Sequence, residues 1–325
     1  MNQSLLLALT CFLMGCSNIA SVNAEVESVQ LQTPSSSLQQ KKWHHGAVDC
    51  SLDTNPAIDV YQQDESSFIL RQNKCLNFEA PFIYVFEGNE KVLVVDTGAT
   101  DSHNIFPIYR KITSLLNRKN ENNSNNKKAW LVLHSHSHSD HHQGDSQFKG
   151  HENITIVEPN SEAVNAFFNF EQQKNHRVNI DLGQRKISIF AIPGHQEDSI
   201  AIYDHHTKWL LTGDTLYPGY IYVKDWQEYR KSIAKLAAFA QSHDVSAVLG
   251  AHIEMKKEAQ KYYEIGSQFQ PNEHALPLSV SQLVALNAQL TQHDEPTKIT
   301  FNSFIIAPMS GLQKTLSNIA RWIFQ

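Results

Sequence analysis

Along the chain, compact apolar runs alternate with longer stretches whose apolar residues recur at helical spacing. Phe68 to Leu70, Phe82 to Phe86 and Lys91 to Val95 are short and apolar, and each reads as a buried strand. Between Asn104 and Asn117, Ile105, Ile108, Ile112 and Leu115–Leu116 share one side of a helix, so a helix is predicted there. A loop rich in Asn and Lys, Arg118 to Lys128, separates it from the strand Ala129 to Leu133. The same alternation continues with strand Ile154 to Val157, helix Ser161 to Gln172, and strands Val178 to Leu182 and Lys186 to Ile192. Strands Ser199 to Tyr203 and Trp209 to Thr212, helix Asp225 to Ser242 and strand Val245 to Leu249 follow. The tail carries helix-like stretches, Ser279 to Leu290 and Leu312 to Ile323, around an apolar strand from Ile299 to Ile306. Strands interleaved with helices predict an α/β fold whose sheets are covered by helices. No internal repeat is visible.

The first 24 residues break this pattern. Leu5 to Gly15 is an apolar run of the length of a signal-peptide core, although no Lys or Arg precedes it. Leu13-Met14-Gly15-Cys16 resembles a bacterial lipobox, in which the cysteine is lipidated and becomes the new N-terminus. Cleavage after Ala24, releasing a soluble secreted protein, is the alternative. The expected location is the periplasm or cell envelope, with a membrane contact only through a lipid on Cys16. Residues 25–42 are polar and aperiodic and read as a tether, with the folded part beginning near Trp43.

Composition narrows the classes. The 325 residues are 41% hydrophobic and 18% charged, ordinary for a globular chain with a sizeable core. A formal charge of −6 gives no electrostatic footprint for nucleic acid. No apolar run approaches the roughly 20 residues that span a bilayer. Of the 4 cysteines, export would leave Cys50 and Cys75, which either pair in an oxidising compartment or stay as buried thiols.

The chemistry gathers after the strand Ala129 to Leu133. His134, His136, His138, His141 and His142, with Asp140, fall within nine positions. Neutral imidazole and carboxylate bind zinc, iron or manganese at neutral pH without a large deprotonation cost. A flexible metal-scavenging tract has a similar composition. Against that, His136 and His138 share a face by the two-residue period of an extended strand end, and the following turn swings Asp140 and His141 elsewhere. His136-x-His138-x-Asp140-His141 resembles the signature of the metallo-β-lactamase fold superfamily. Its companion motifs follow in order: Pro193-Gly194-His195, Gly213-Asp214-Thr215, and His252 after Val248-Leu249-Gly250-Ala251. Asp96, ending Val94-Val95, matches a superfamily position near the metals.

This resemblance covers Pro81 to His252 and implies a four-layer αβ/βα sandwich over residues 43–270, with 271–325 as a C-terminal extension packed on it. It implies one metal on His136, His138 and His195, a second on Asp140, His141 and His252, and Asp214 bridging them. Two zinc ions per chain are expected, with iron or manganese as alternatives. Asp96 is expected to hold a ligand rather than bind metal. The implied reaction is attack of a metal-bound hydroxide on a small-molecule ester, thioester or lactone, with Asp140 orienting the nucleophile and accepting its proton. A β-lactamase-type amide hydrolase, a mononuclear-iron dioxygenase and a non-catalytic zinc-binding lipoprotein are the other readings. Asp214 weighs against the first of these, because β-lactamases of the superfamily generally lack the bridging aspartate. Gln143-Gly144 replaces the usual Gly-Gly and Asp198 a usual Gly, and His134 and His142 have no assigned place. Tyr217, Tyr220 and His274 are candidate pocket residues. No protein partner is implied.

Overall fold

A computed structural model describes residues 38–117, 128–173 and 176–315. The chain divides into two units, residues 1–31 and 32–325, and every described residue lies in the second. The expected export signal with Cys16, most of the expected tether, residues 118–127 of the expected loop and residues 316–323 of the last expected helix fall outside the described residues.

Two sheets carry the architecture. The first joins β1 (Ile58–Asp64), β2 (Ser67–Gln72), β3 (Phe82–Glu87), β4 (Lys91–Val95), β5 (Ala129–Leu133) and β6 (Ile154–Ile156) in that order. Its first four strands form an antiparallel meander, and β5 and β6 add in parallel. The second sheet runs in the order β12 (Ala247–Gly250), β10 (Trp209–Gly213), β9 (Ile200–Asp204), β8 (Lys186–Ala191), β7 (Arg177–Asp181). A small third sheet pairs β11 (Tyr220–Val223) with β14 (Ile305–Pro308), which in turn pairs with β13 (Ile299–Thr300).

Side-chain alternation builds the layers. Leu93 and Val95 of β4 point into a core shared with Ile187, Ile189, Ile202 and Leu211 of the second sheet. Val92 and Val94 face outward onto Ile108, Ile112 and Leu116 of helix α1 (Ile108–Leu116). On the far side, α3 (Trp226–Ser242) and α4 (Val280–Gln292) cover the second sheet through Ile233, Leu236, Leu283 and Leu286. The order helix, sheet, sheet, helix is the expected four-layer α/β sandwich. Strands buried on both faces explain why they read as continuous apolar runs. Helix α2 (Ser161–Phe168) adds Val164 and Phe168 to the central core.

Several details differ from the expectation. Helix α1 begins at Ile108, because Pro107 disfavours helix in the residue before it, and Ile105 is left exposed. Helix α2 stops at Phe168, where Asn169 turns left-handed at φ 52°. The single tail strand Ile299 to Ile306 is two short antiparallel strands. β1 and β11 went unread, since neither carries a run of aliphatic residues. Part of the tether belongs to the folded body: Leu38 is buried in the central core, and Lys41 Nζ pairs with Asp59 Oδ1 at 2.8 Å. Cys50 and Cys75 form a disulfide. No helix among the described residues is long and apolar enough to cross a membrane.

Arg185 locks the two sheets together. Its guanidinium donates to Asp204 Oδ1 and Oδ2 at 3.0 and 2.7 Å, and to Ser66 O, Ser67 Oγ and Glu87 O on the first sheet. Hydrogen bonds near the strand ends tie the sheets at the opposite edge: Phe82 N to Ala251 O, Ile200 N to Ser135 O, and Tyr84 Oη to Gly250 O. The loops beyond those strand ends are thereby fixed relative to one another.

Candidate metal centre

Each ligating motif follows the C-terminal end of a strand. His134–His142 follow β5, Asp96 follows β4, His195 follows β8, Asp214 follows β10 and His252 follows β12. Two glycines make the convergence sterically possible. Gly213 has φ +51°, and a Cβ there would lie 2.6 Å from Ser135 Cβ, so its absence lets the β10 end touch the β5 loop. Gly194 has φ +142°, and its Cβ would lie 2.5 Å from Tyr229 Cα in α3. That contact explains the glycine of Pro193-Gly194-His195.

The residues gather into two groups able to hold a metal ion: His136, His138, His195 and Asp214, and Asp140, His141 and His252, with donor atoms within 4.8 Å of one another in each. Asp214 faces both. Its Oδ2 lies 3.7 Å from His136 Nε2, 3.8 Å from His195 Nε2 and 3.7 Å from His141 Nε2, and its Oδ1 lies 3.4 Å from His252 Nε2. Asp140 Oδ2 lies 3.3 Å from His141 Nε2 and 3.2 Å from His252 Nε2.

The donor set fits a cation. Each of the five histidines has its outer ring nitrogen engaged: His136 Nδ1 with Ser135 Oγ, His138 Nε2 with the Gln196 amide, and His141 Nδ1 with Asp96 Oδ2. His195 Nδ1 donates to Tyr222 O and His252 Nδ1 to Glu79 O. A histidine that donates through one nitrogen presents a lone pair on the other, which is how metal-binding imidazoles are oriented. His138 is the exception: its Nε2 accepts from the Gln196 amide nitrogen at 2.7 Å, and its Nδ1 lies 2.9 Å from His136 Nε2. Asp214 Oδ1 is buried without a hydrogen bond. Asp96 is held at φ 66° and accepts from Ser135 N at 2.7 Å as well as from His141 Nδ1 at 2.9 Å. A non-glycine residue in the left-handed region is strained, and such strain collects at functional sites.

Charge divides the two groups. Burial, reinforced by neighbouring histidines, pushes His136 well below its ordinary pKa and His138 down to about 3. Burial acts the same way on His141 and His252, but nearby carboxylates outweigh it. Asp140, Asp96 and Asp214 hold His141 well above its usual value, and Asp214 and Asp140 bring His252 up to about 9. Burial would raise Asp140 and Asp214, yet the histidines around them keep both carboxyls well below the usual range.

A cavity of about 210 Å³ opens over the cluster. His138, Asp140, His195, Asp214 and His252 form its floor, and Tyr217 lines it as expected. Tyr220 and His274 do not. Tyr220 packs at a tilt against Tyr222 and Tyr262, and His274 Nδ1 donates to Ala275 O at 2.7 Å. Sequence reasoning missed Lys74, Phe78, Glu79 and Glu254, and the 263–267 wall. Only Glu254 carried a signal, standing two residues after His252. His134 has a structural place: buried, with Nε2 bonded to Asp145 Oδ1 at 2.9 Å and Nδ1 to Val157 O at 3.0 Å.

Comparison with known proteins agrees with this arrangement. Acyl-coenzyme A thioesterase MBLAC2 of Homo sapiens is 25% identical over 180 residues, covering 46% of this chain and 62% of that protein. The Bos taurus protein of the same name matches with the same identity and coverage. This chain therefore matches less than two thirds of the length of these curated relatives. Among solved structures, a metallo-beta-lactamase from Pontibacter korlensis aligns at TM-score 0.46 and 13% identity, covering 73% of this chain and 100% of that one. The profile of the Metallo-beta-lactamase superfamily matches residues 76–252, more than half of the chain and the span that holds all of the clustered histidines. With its motifs at the strand ends and two groups able to hold a metal ion side by side, the chain belongs to the metallo-beta-lactamase superfamily.

Proposed function

We propose that this chain hydrolyses an ester or thioester of a small molecule at a site holding two divalent cations, zinc foremost. The observation that carries the reading is Asp214, whose carboxylate faces both histidine groups at 3.4–3.8 Å. A shared anion offsets repulsion between two dications, and a site that merely buffers metal has no need of one.

His136, His138 and His195 would hold one ion, Asp140, His141 and His252 the other, and Asp214 would touch both. Three histidines around an open position make a catalytic rather than a closed structural site. When bound, such ions polarise a carbonyl oxygen and bring the pKa of a coordinated water toward 7. Asp140 lines the cavity, and its carboxylate would orient the attacking water and take its proton. Water adds to the carbonyl carbon, the bond to sulfur or oxygen breaks, and the departing thiol or alcohol takes up the proton. Asp96 would fix the tautomer of His141, and the Glu79 and Tyr222 carbonyls would do the same for His252 and His195. The thioester branch is favoured by the name of the curated relatives. Export is part of the proposal, supported by the Cys50–Cys75 disulfide, which persists in oxidising compartments.

The test is hydrolysis of a panel of esters, thioesters, lactones and β-lactams by the purified chain, before and after chelation. Thioester or ester turnover that is lost on chelation and restored by zinc supports the proposal. Turnover confined to β-lactams, or unaffected by chelation, contradicts it.

A further inference from the structure

Lys74 stands apart from every other charged group around the cavity. It is 2% exposed and lines the same cavity as His138, Asp140, Asp214 and His252. Its Nζ donates to Phe78 O at 2.7 Å, and among the described residues it forms no ion pair. An ammonium has three donors, so two are left for whatever enters the cavity.

Of the three carboxylates whose charge acts on Lys74, two are committed elsewhere, and the third, Glu79, lines the cavity itself. Glu273 receives two hydrogen bonds from Arg71, each 2.6 Å. Glu254 accepts from Tyr220 N at 2.8 Å and Tyr217 Oη at 3.2 Å. The backbone around Lys74 is also pinned: Cys75 is bonded to Cys50, and Cys75 N donates to Asn73 Oδ1 at 2.8 Å. A buried ammonium without a counter-ion is costly to maintain, and a protein that only needed to fill this position would do better with an apolar side chain. Burial lowers the Lys74 pKa to about 8, which leaves the group mostly charged at neutral pH.

We propose that Lys74 anchors a carboxylate carried by the substrate, so that the chain acts on acyl compounds with a second, free acid group. The claim deepens the hydrolase reading and rests on it. A carboxylate suits the site better than a phosphate. Two oxygens of a monoanion match the two free donors, whereas a dianion would face Glu79 and Glu264, which also line the cavity. With the candidate metal-holding residues and a cation lining one cavity of about 210 Å³, the substrate is a half-ester or half-thioester of a dicarboxylic acid.

The experiment compares the p-nitrophenyl half-ester of glutaric acid with the p-nitrophenyl ester of its monomethyl ester, using the full chain and Lys74→Met. The wild type favours the free acid in kcat/KM by about tenfold or more, as expected for a charge-assisted hydrogen bond, chiefly through KM. In Lys74→Met the ratio of the two kcat/KM values collapses toward one, and Lys74→Arg recovers part of it. A merely structural role would lower both rates together and leave the ratio intact, and that result overturns the proposal. Lys74→Gln carries the same comparison should Lys74→Met fail to fold. Glutarate itself supplies a readout independent of turnover: it raises the melting temperature of the wild type more than that of Lys74→Met. If no ester is cleaved but glutarate still binds through Lys74, the hydrolase reading falls and the anion site stands. Equal glutarate stabilisation of both proteins sinks the anion site alone.

Discussion

Asp96→Asn separates the orientation of a ligand from the presence of a ligand. Asp96 Oδ1 accepts from Ser135 N at 2.7 Å, and Oδ2 accepts from His141 Nδ1 at 2.9 Å and Ser135 Oγ at 3.0 Å. The backbone N–H can only donate, so the asparagine oxygen must stay on Ser135 N and its amide nitrogen must face His141 Nδ1. Two donors then meet unless His141 changes tautomer. The change puts the proton on Nε2, the atom 3.3 Å from Asp140 Oδ2 in the second metal group. Loss of such an orienting partner typically costs 10–100-fold in metal affinity, about 1.4–2.8 kcal/mol. The backbone should tolerate the change, because asparagine accepts the left-handed conformation that Asp96 adopts at φ 66°, but the metal-free protein loses the buried carboxylate paired with protonated His141 and should be less stable. Alanine would be a poorer test, since it leaves the buried Ser135 N–H unpaired at about 1–3 kcal/mol. Competition with a chromophoric chelator measures the affinity, and urea unfolding of the metal-free protein measures stability. One site weakened about 10–100-fold, together with a lower stability of the metal-free protein, is the expected result. Unchanged affinity at both sites would refute the tautomer argument.

Other consequences follow from the same structure. His134→Ala removes the buried bonds to Asp145 and Val157 O, so it should cost about 1–3 kcal/mol in urea unfolding while both metals remain bound. Asp204→Asn breaks the buried pair with Arg185 and should cost about 3–5 kcal/mol at pH 7. Burial opposes but does not overcome the Arg185 hydrogen bonds, and the folded Asp204 pKa lies below 3.8; its contribution is therefore present above that value and lost as pH falls through the folded pKa. The gap between Asp204→Asn and wild type in urea should accordingly narrow on acidification below pH 4. Metal uptake at pH 7 should release protons, because His252, with a pKa of about 9, and His141, held well above its usual value, are protonated in the metal-free protein. Affinity should then rise with pH up to about 9, and calorimetry in buffers of different ionisation enthalpy measures the release. A pH-independent affinity would contradict that charge distribution.

The sequence was most legible where function depends on local spacing. His136, His138 and His141 are close in the chain, and each motif begins where an apolar strand ends, so periodicity located the strands and the resemblance supplied the candidate ligands that follow them. The four layers were readable for the same reason: strands buried on both faces are continuous apolar runs. What stayed hidden depends on distant partners. Nothing near Lys74 in the chain indicates that it is buried in the wall of the cavity that His252 also lines, and His134 looked idle because Asp145 and Val157 lie beyond the motif. Tyr220 was drawn toward the pocket by its closeness to Asp214 in sequence and His274 by a loop read as reaching the site, whereas the parallel pairing of β11 with β14 decides where the tyrosines go. Leu38 shows the limit of composition: a single leucine in a polar stretch reaches the central core.

The most direct test of the proposed dinuclear site is metal content. The purified chain and Asp214→Ala would be dialysed without chelator and measured by elemental analysis beside protein concentration. About two zinc ions per wild-type chain, falling to one or fewer in Asp214→Ala, is the expected result for two groups sharing one carboxylate. A single tightly held iron, or weak exchangeable metal with no fixed stoichiometry, would contradict it.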